Sequence, residues 1–190
     1  MFVAHGKNRI VVATLAVCLA LSGAVRSAAR FTAQMPLAIT SCGQSSDAST
    51  VSLLSKRMGL EHLFENALRP ERLSEIKTLV VVIDASMKGL SEAGTNETRE
   101  SARVNTLLAR ARQLNVKVIA VHLGGESRRG AVPDRFINLV VAQADYLIVA
   151  EAGNRDGLFT QVSKAREVPL VIVSQSVEVS RELMTLFPDR

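Results

Sequence analysis

The run Thr78-Leu-Val-Val-Val-Ile83 carries five consecutive aliphatic residues with no polar alternation. A strand with one wet face alternates. An unbroken branched-aliphatic run instead marks a strand buried on both faces, the habit of parallel sheets covered by helices. Similar runs recur in "VKVIAVHLGG", "DYLIVAEAG" and "PLVIVSQ". Leu37–Ser41 is a first strand and "EHLFEN" a weak edge strand.

Helix-period segments fill the gaps. "DASTVSLLSKRMGL" places Val51, Leu54 and Met58 on one face, with Gly59 as a stop. Pro70–Lys77 reads as a short helix. Glu97–Gln113 spaces Val104, Leu107, Leu108 and Ala111 as one apolar stripe. Pro133 opens a helix carrying Phe136, Ile137, Val140 and Val141. Gly157–Glu167 follows Asp156 as a cap, and Val177–Phe187 closes the chain. Strands alternating with helices predict an α/β fold: a doubly wound, mostly parallel sheet of about five or six strands, three layers deep, in a flavodoxin-like or Rossmann-like order.

Residues 1–28 read as a secretory signal peptide. Lys7 and Arg9 precede the apolar run Ile10–Val25, and small residues follow. A retained membrane anchor is the rival reading. The remaining 35–190 is one domain, expected in the periplasm or outside the cell. Cleavage deletes Lys7, Arg9 and Arg26 and no acid, so the formal charge falls from +5 to +2. That removes the basic balance a nucleic-acid binder needs, and no membrane contact beyond the leader is expected.

Cleavage also removes Cys18, leaving Cys42 as the single thiol, so an internal disulfide is excluded. "LAVC" and "ITSC" resemble the pattern before a lipidated cysteine. However, Val17 is bulky, and Cys42 lies far beyond the apolar run.

Ligands of open parallel sheets bind outside the carboxyl ends of the strands, where the strand order reverses. That rule gathers Ser41, Cys42, Gly43, Gln44 and Ser45 after the first strand, and Asp84, Ser86 and Lys88 after the third. It adds His122, Gly124, Gly125, Glu126, Arg128 and Arg129 after the fourth, and Glu151 and Asn154 after the fifth. Arg128 and Arg129 are fork-shaped donors suited to carboxylate or phosphate, beside glycines that admit a close ligand. The expected partner is therefore a small anionic molecule. Glu126 and Glu151 are alternative partners for the same arginines.

Cys42 on a strand-to-helix turn, His122 as base and Asp84 or Glu126 as orienter would make a thiol-dependent hydrolase or transferase. A buried thiol is the plainer alternative. An envelope protein-interaction module is a third reading. No spaced ligand pair supports a metal, and no phosphate-loop or dinucleotide motif supports a cofactor. Tyr146 is the one tyrosine and tryptophan is absent, which leaves nothing to sandwich a flavin. Oligomeric state is not legible.

The blocks "ITSCGQSSDA", "SMKGLSEAG", "AVHLGGESRRG" and "ADYLIVAEAGNRDGLFT" together resemble an uncharacterised family of exported bacterial proteins classed as a domain of unknown function. The chain departs at Ser46, where the family often has proline, and at Met87, where it has a small residue. The resemblance implies export and an α/β fold, and no activity.

Overall fold

The computed structural model describes Met1 and residues 31–188. The leader reading, Cys18 included, lies outside the described residues apart from Met1. Six strands form one sheet: β1 Leu37–Cys42, β2 Leu63–Phe64, β3 Thr78–Ile83, β4 Lys117–His122, β5 Tyr146–Ala150 and β6 Leu170–Val173. All pairs are parallel, in the order β2-β1-β3-β4-β5-β6. This is the expected flavodoxin-like order with one further strand at the edge.

Alternate residues of each strand serve opposite cores. Leu79, Val81 and Ile83 of β3 pack under α3 (Glu97–Gln113), α4 (Ala131–Val141) and α5 (Leu158–Arg166), with Leu107, Phe136 and Phe159 among their neighbours. Val80 and Val82 pack under α1 (Asp47–Arg57) and α6 (Ser176–Leu186), against Val51, Val179 and Leu183. Both faces of β3 are therefore dry, which is why its sequence does not alternate. Each of these aliphatic side chains contributes about 1.5–3 kcal/mol by leaving water.

Three local readings change. The inner face of α1 is Ala48, Val51, Ser52 and Ser55, while Leu54 and Met58 are only half-buried. The two serines are tolerated because each hydroxyl is paired, Ser52 with His62 Nε2 at 2.7 Å and Ser55 with Ser180 at 3.3 Å. Pro70–Leu73 is a single 3-10 turn. A short helix, α2 (Met87–Glu92), starts where a loop was expected. Among the described residues no helix is long and apolar enough to cross a membrane.

Candidate functional site

After β1 the chain enters α1 on one face of the sheet, and after β3 it leads to α3 on the other, so the switch in strand order lies between β1 and β3. The crevice expected there is closed by backbone. The Asp84 N–H donates to the Cys42 carbonyl at 3.0 Å and the Ser86 N–H to the Gly43 carbonyl at 3.1 Å, and Gln44 and Ala85 form an antiparallel bridge. Gly43 makes this approach possible. Its φ is +104°, and a Cβ there would lie 2.5 Å from the Asp84 carbonyl oxygen.

Cys42 is the last residue of β1 and not part of the turn; its side chain is fully buried in the α3–α4–α5 core. Burial pushes the thiol far above its ordinary value, and the Glu100 carboxylate adds to that. Nor is the imidazole within reach. Cys42 pairs with Ile83, and continuing the β3–β4 register past Val82↔Val121 sets His122 beside Ile83. Two strand spacings, about 10 Å, therefore separate the two backbone positions, with the Ile83 side chain on the same face between them. The structure corrects the thiol–imidazole pairing.

A pair that the sequence reading missed holds this loop. Glu100 on α3 is buried and accepts the Gly43 N–H at 3.0 Å and the Gln44 side-chain amide at 3.0 Å. Arg103, one helical turn on, donates to both Glu100 oxygens at 2.8 and 2.9 Å and to the carbonyls of Ser41 and Leu68. Burial alone would raise the Glu100 carboxyl. The Arg103, Gly43 and Gln44 donors outweigh it and hold the group below its ordinary value. Gln44 is consumed as well, because its amide donates to Asn66 O and its oxygen accepts the Asn66 amide. Glu100 falls four residues before Val104, on the apolar stripe of α3. A lone charge on such a stripe was the available signal.

His122 is enclosed. Its Nδ1 donates to the Ile83 carbonyl at 2.8 Å, which fixes that nitrogen as the protonated one. Its ring stacks on Phe159 with centroids 5.3 Å apart. Gly124 and Gly153 press close, and a Cβ on Gly153 would come within 2.7 Å of the ring and 2.3 Å of the Gly124 carbonyl. These glycines serve loop-to-loop packing. Burial lowers the imidazole's pKa, the Ile83 bond opposes this, and Arg129 adds to the lowering. Nε2 is a buried acceptor without a partner among the described residues.

The neighbouring arginines differ. Arg129 spends all five N–H donors: Nε on Asp134, Nη1 on the Gly153 carbonyl and Asp156, Nη2 on Asp134 and Asp156, at 2.7–3.4 Å. It also lies over the Phe159 ring, 5.8 Å from the centroid. It closes the β4 and β5 loops and has no donor left for a ligand. Among the described residues the Arg128 guanidinium makes one hydrogen bond, Nη1 to Asp84 Oδ2 at 2.8 Å, and its side chain is 46% exposed against 1% for Asp84. Burial raises the Asp84 carboxyl above its ordinary value, Asp47 raises it further, and Arg128 and Ser45 pull it back. Asp84 Oδ1 and Ser41 Oγ are buried without hydrogen-bond partners among the described residues.

The remaining candidates have local duties or face solvent. Ser45 accepts the Asp47 N–H at 3.3 Å, and Ser86 caps α2 by accepting the Gly89 N–H at 3.0 Å. Asn154 accepts the Phe159 N–H and donates to Thr160. Lys88 pairs with Glu92, and Glu126 with Arg155 instead of its neighbouring arginines. Glu151 is exposed, and Gly125 half-buried. A cleft of about 110 Å³ runs between Glu126, Arg129, Ala152, Gly153, Arg155 and Asp156. Larger cavities lie off this edge. One of about 220 Å³ sits at the amino ends of β4 and β5, where Arg112 is already bound to Gln143 and Asp145 to the Val118 N–H. Another, of about 310 Å³, adjoins Met35, Gly59, Leu60 and Glu61. Among the described residues, no three His, Cys, Asp or Glu side chains converge as metal ligands.

Residues 34–187 match the model of a domain of unknown function, DUF6305. No curated protein matches the chain. Solved structures similar to the chain include two at low identity. A Bacteroides fragilis protein provisionally described as an acylhydrolase shares 10% identity at a TM-score of 0.35, over 78% of this chain and 83% of its own. A GDSL-like lipase from Bacteroides thetaiotaomicron shares 13% at 0.33, over 74% and 71%.

Proposed function

We propose that this chain, which belongs to the DUF6305 family, is a binding domain that holds a small anionic ligand on Arg128 at the carboxyl edge of its sheet. One observation carries the reading. Of the two arginines after β4, only Arg128 keeps exposed, unspent donors, and it stands over a buried carboxylate at the end of β3. A guanidinium with a free edge takes a carboxylate or phosphate in a two-pronged contact. The strand-end position agrees with where open parallel sheets bind. Arg129 acts behind it as a brace, joining the loops that present Arg128. The leader pattern adds an exported location, which fractionation of the expressed chain checks.

Thermal-shift titration with carboxylates, sulfate and phosphate tests the reading. Wild type is expected to gain stability with at least one of these anions and Arg128→Ala to lose that gain, from a lower starting stability because Asp84 loses its counter-charge. Equal gains in both proteins, or none in wild type, sink it.

A further inference from the structure

We infer that this site works by exchange: a ligand carboxylate replaces the carboxylate of Asp84 on Arg128, and Asp84 takes up a proton as it is displaced. The inference rests on Arg128 being the anion site. Asp84 already occupies the guanidinium as a ligand carboxylate would, through one oxygen at 2.8 Å. It comes from 44 residues away in sequence, and its side chain is 1% exposed. Arg128 Nε and Nη2 have no partner among the described residues. An arriving carboxylate therefore finds a free edge, but a charge already neutralised.

The exchange has a definite balance. The Arg128–Asp84 ion pair breaks and an Arg128–ligand pair forms. Asp84 is then a buried carboxylate without its counter-charge, beside the Asp47 carboxylate on α1. A buried charge in that position neutralises itself instead of staying ionised. The proton comes from solvent or buffer acid. Oδ1, buried and without a hydrogen-bond partner among the described residues, has the lone pair to carry it once the site opens.

Among the described residues, the neighbouring cations and the imidazole are already committed elsewhere. Lys88 on α2 is exposed and paired with Glu92. Arg103 on α3 is held by Glu100 and two carbonyls. His122 on β4 gives its proton-bearing nitrogen to Ile83. Asp84 is thus an internal stand-in for the ligand, and proton concentration sets how strongly it competes.

Trifluoroacetate is the probe, because it is a carboxylate that stays ionised throughout the relevant pH range. Its binding to the full chain is followed by fluorine NMR as pH is lowered from neutral toward Asp84's raised pKa. Wild type is expected to bind more tightly as pH falls, by up to about tenfold per unit for one coupled proton. Calorimetry in buffers of different ionisation enthalpy should show net proton uptake. Asp84→Asn is expected to bind at least several-fold more tightly than wild type at neutral pH and to lose the pH dependence. If that variant does not fold, the wild-type pH series and proton count decide alone. Arg128-dependent binding without proton uptake, or weaker binding by Asp84→Asn, overturns the exchange and leaves the anion site standing. Equal binding by wild type and Arg128→Ala overturns both.

Discussion

The backbone N–H of Gly43 donates to Glu100 Oε1 at 3.0 Å across 57 residues of sequence. The strand-end loop after β1 is thereby fastened to α3 through a buried charge. That charge is compensated by Arg103, whose side chain is 17% exposed. Removing one partner of a buried, hydrogen-bonded ion pair leaves the other uncompensated, which costs about 3–5 kcal/mol. Glu100→Ala should lose stability on that scale in urea unfolding, while Glu97→Ala at the half-exposed start of the same helix should stay within about 1 kcal/mol.

The same pair sets an acid limb. Glu100 is held below its ordinary pKa in the folded protein. Its contribution is thus present above the unfolded pKa and disappears as pH falls through the lower folded value. Glu100→Gln should reduce stability at neutral pH and flatten the loss between the ordinary carboxylate range and lower pH. A variant whose acid limb matches wild type would disprove the assignment.

Cys42 should be silent to iodoacetamide in the native protein and react fully in denaturant. Its sulfur is wholly enclosed and its thiol is held protonated. Labelling that tracks global unfolding across a urea series, with no faster native phase, is the expected result. Cys42→Ala should leave anion binding at the Arg128 edge within about twofold, since Cys42 meets Asp84 only through its backbone carbonyl, which the substitution keeps.

Much of the scaffold was legible because the physics that selects it is local. A strand dry on both faces has to be apolar throughout, so β3, β4 and β5 are visible as runs. The long α3 shows its stripe for the same reason. Helix α2 is invisible to that logic, with six residues, a glycine within it and one buried side chain, Leu90; the Ser86 cap starts it. The strand-end rule found the region of the site, but adjacency decides which residues are free there. Arg128 and Arg129 are indistinguishable in "GGESRRG". They part company because Asp134, Gly153 and Asp156 arrive around one and only Asp84 reaches the other.

His122 provides the last test, because its pH window opens above that of Glu100. Its folded pKa is depressed by burial, so the neutral ring favours the folded state above the unfolded value of about 6.5. That stability is lost as pH falls through the lower folded value, since the unfolded chain takes up the proton first. His122→Asn keeps an amide N–H for the Ile83 carbonyl but does not titrate. It should reduce neutral-pH stability through lost packing on Phe159, while removing the decline that begins just below pH 6.5 in wild type. Carbon-bound imidazole proton shifts give the direct check. The His122 resonance should hold its neutral position until pH is well below that of a free histidine. A resonance that titrates at the ordinary value would mean that the ring reaches water, and the enclosure by Gly124, Gly153 and Phe159 would have to be abandoned.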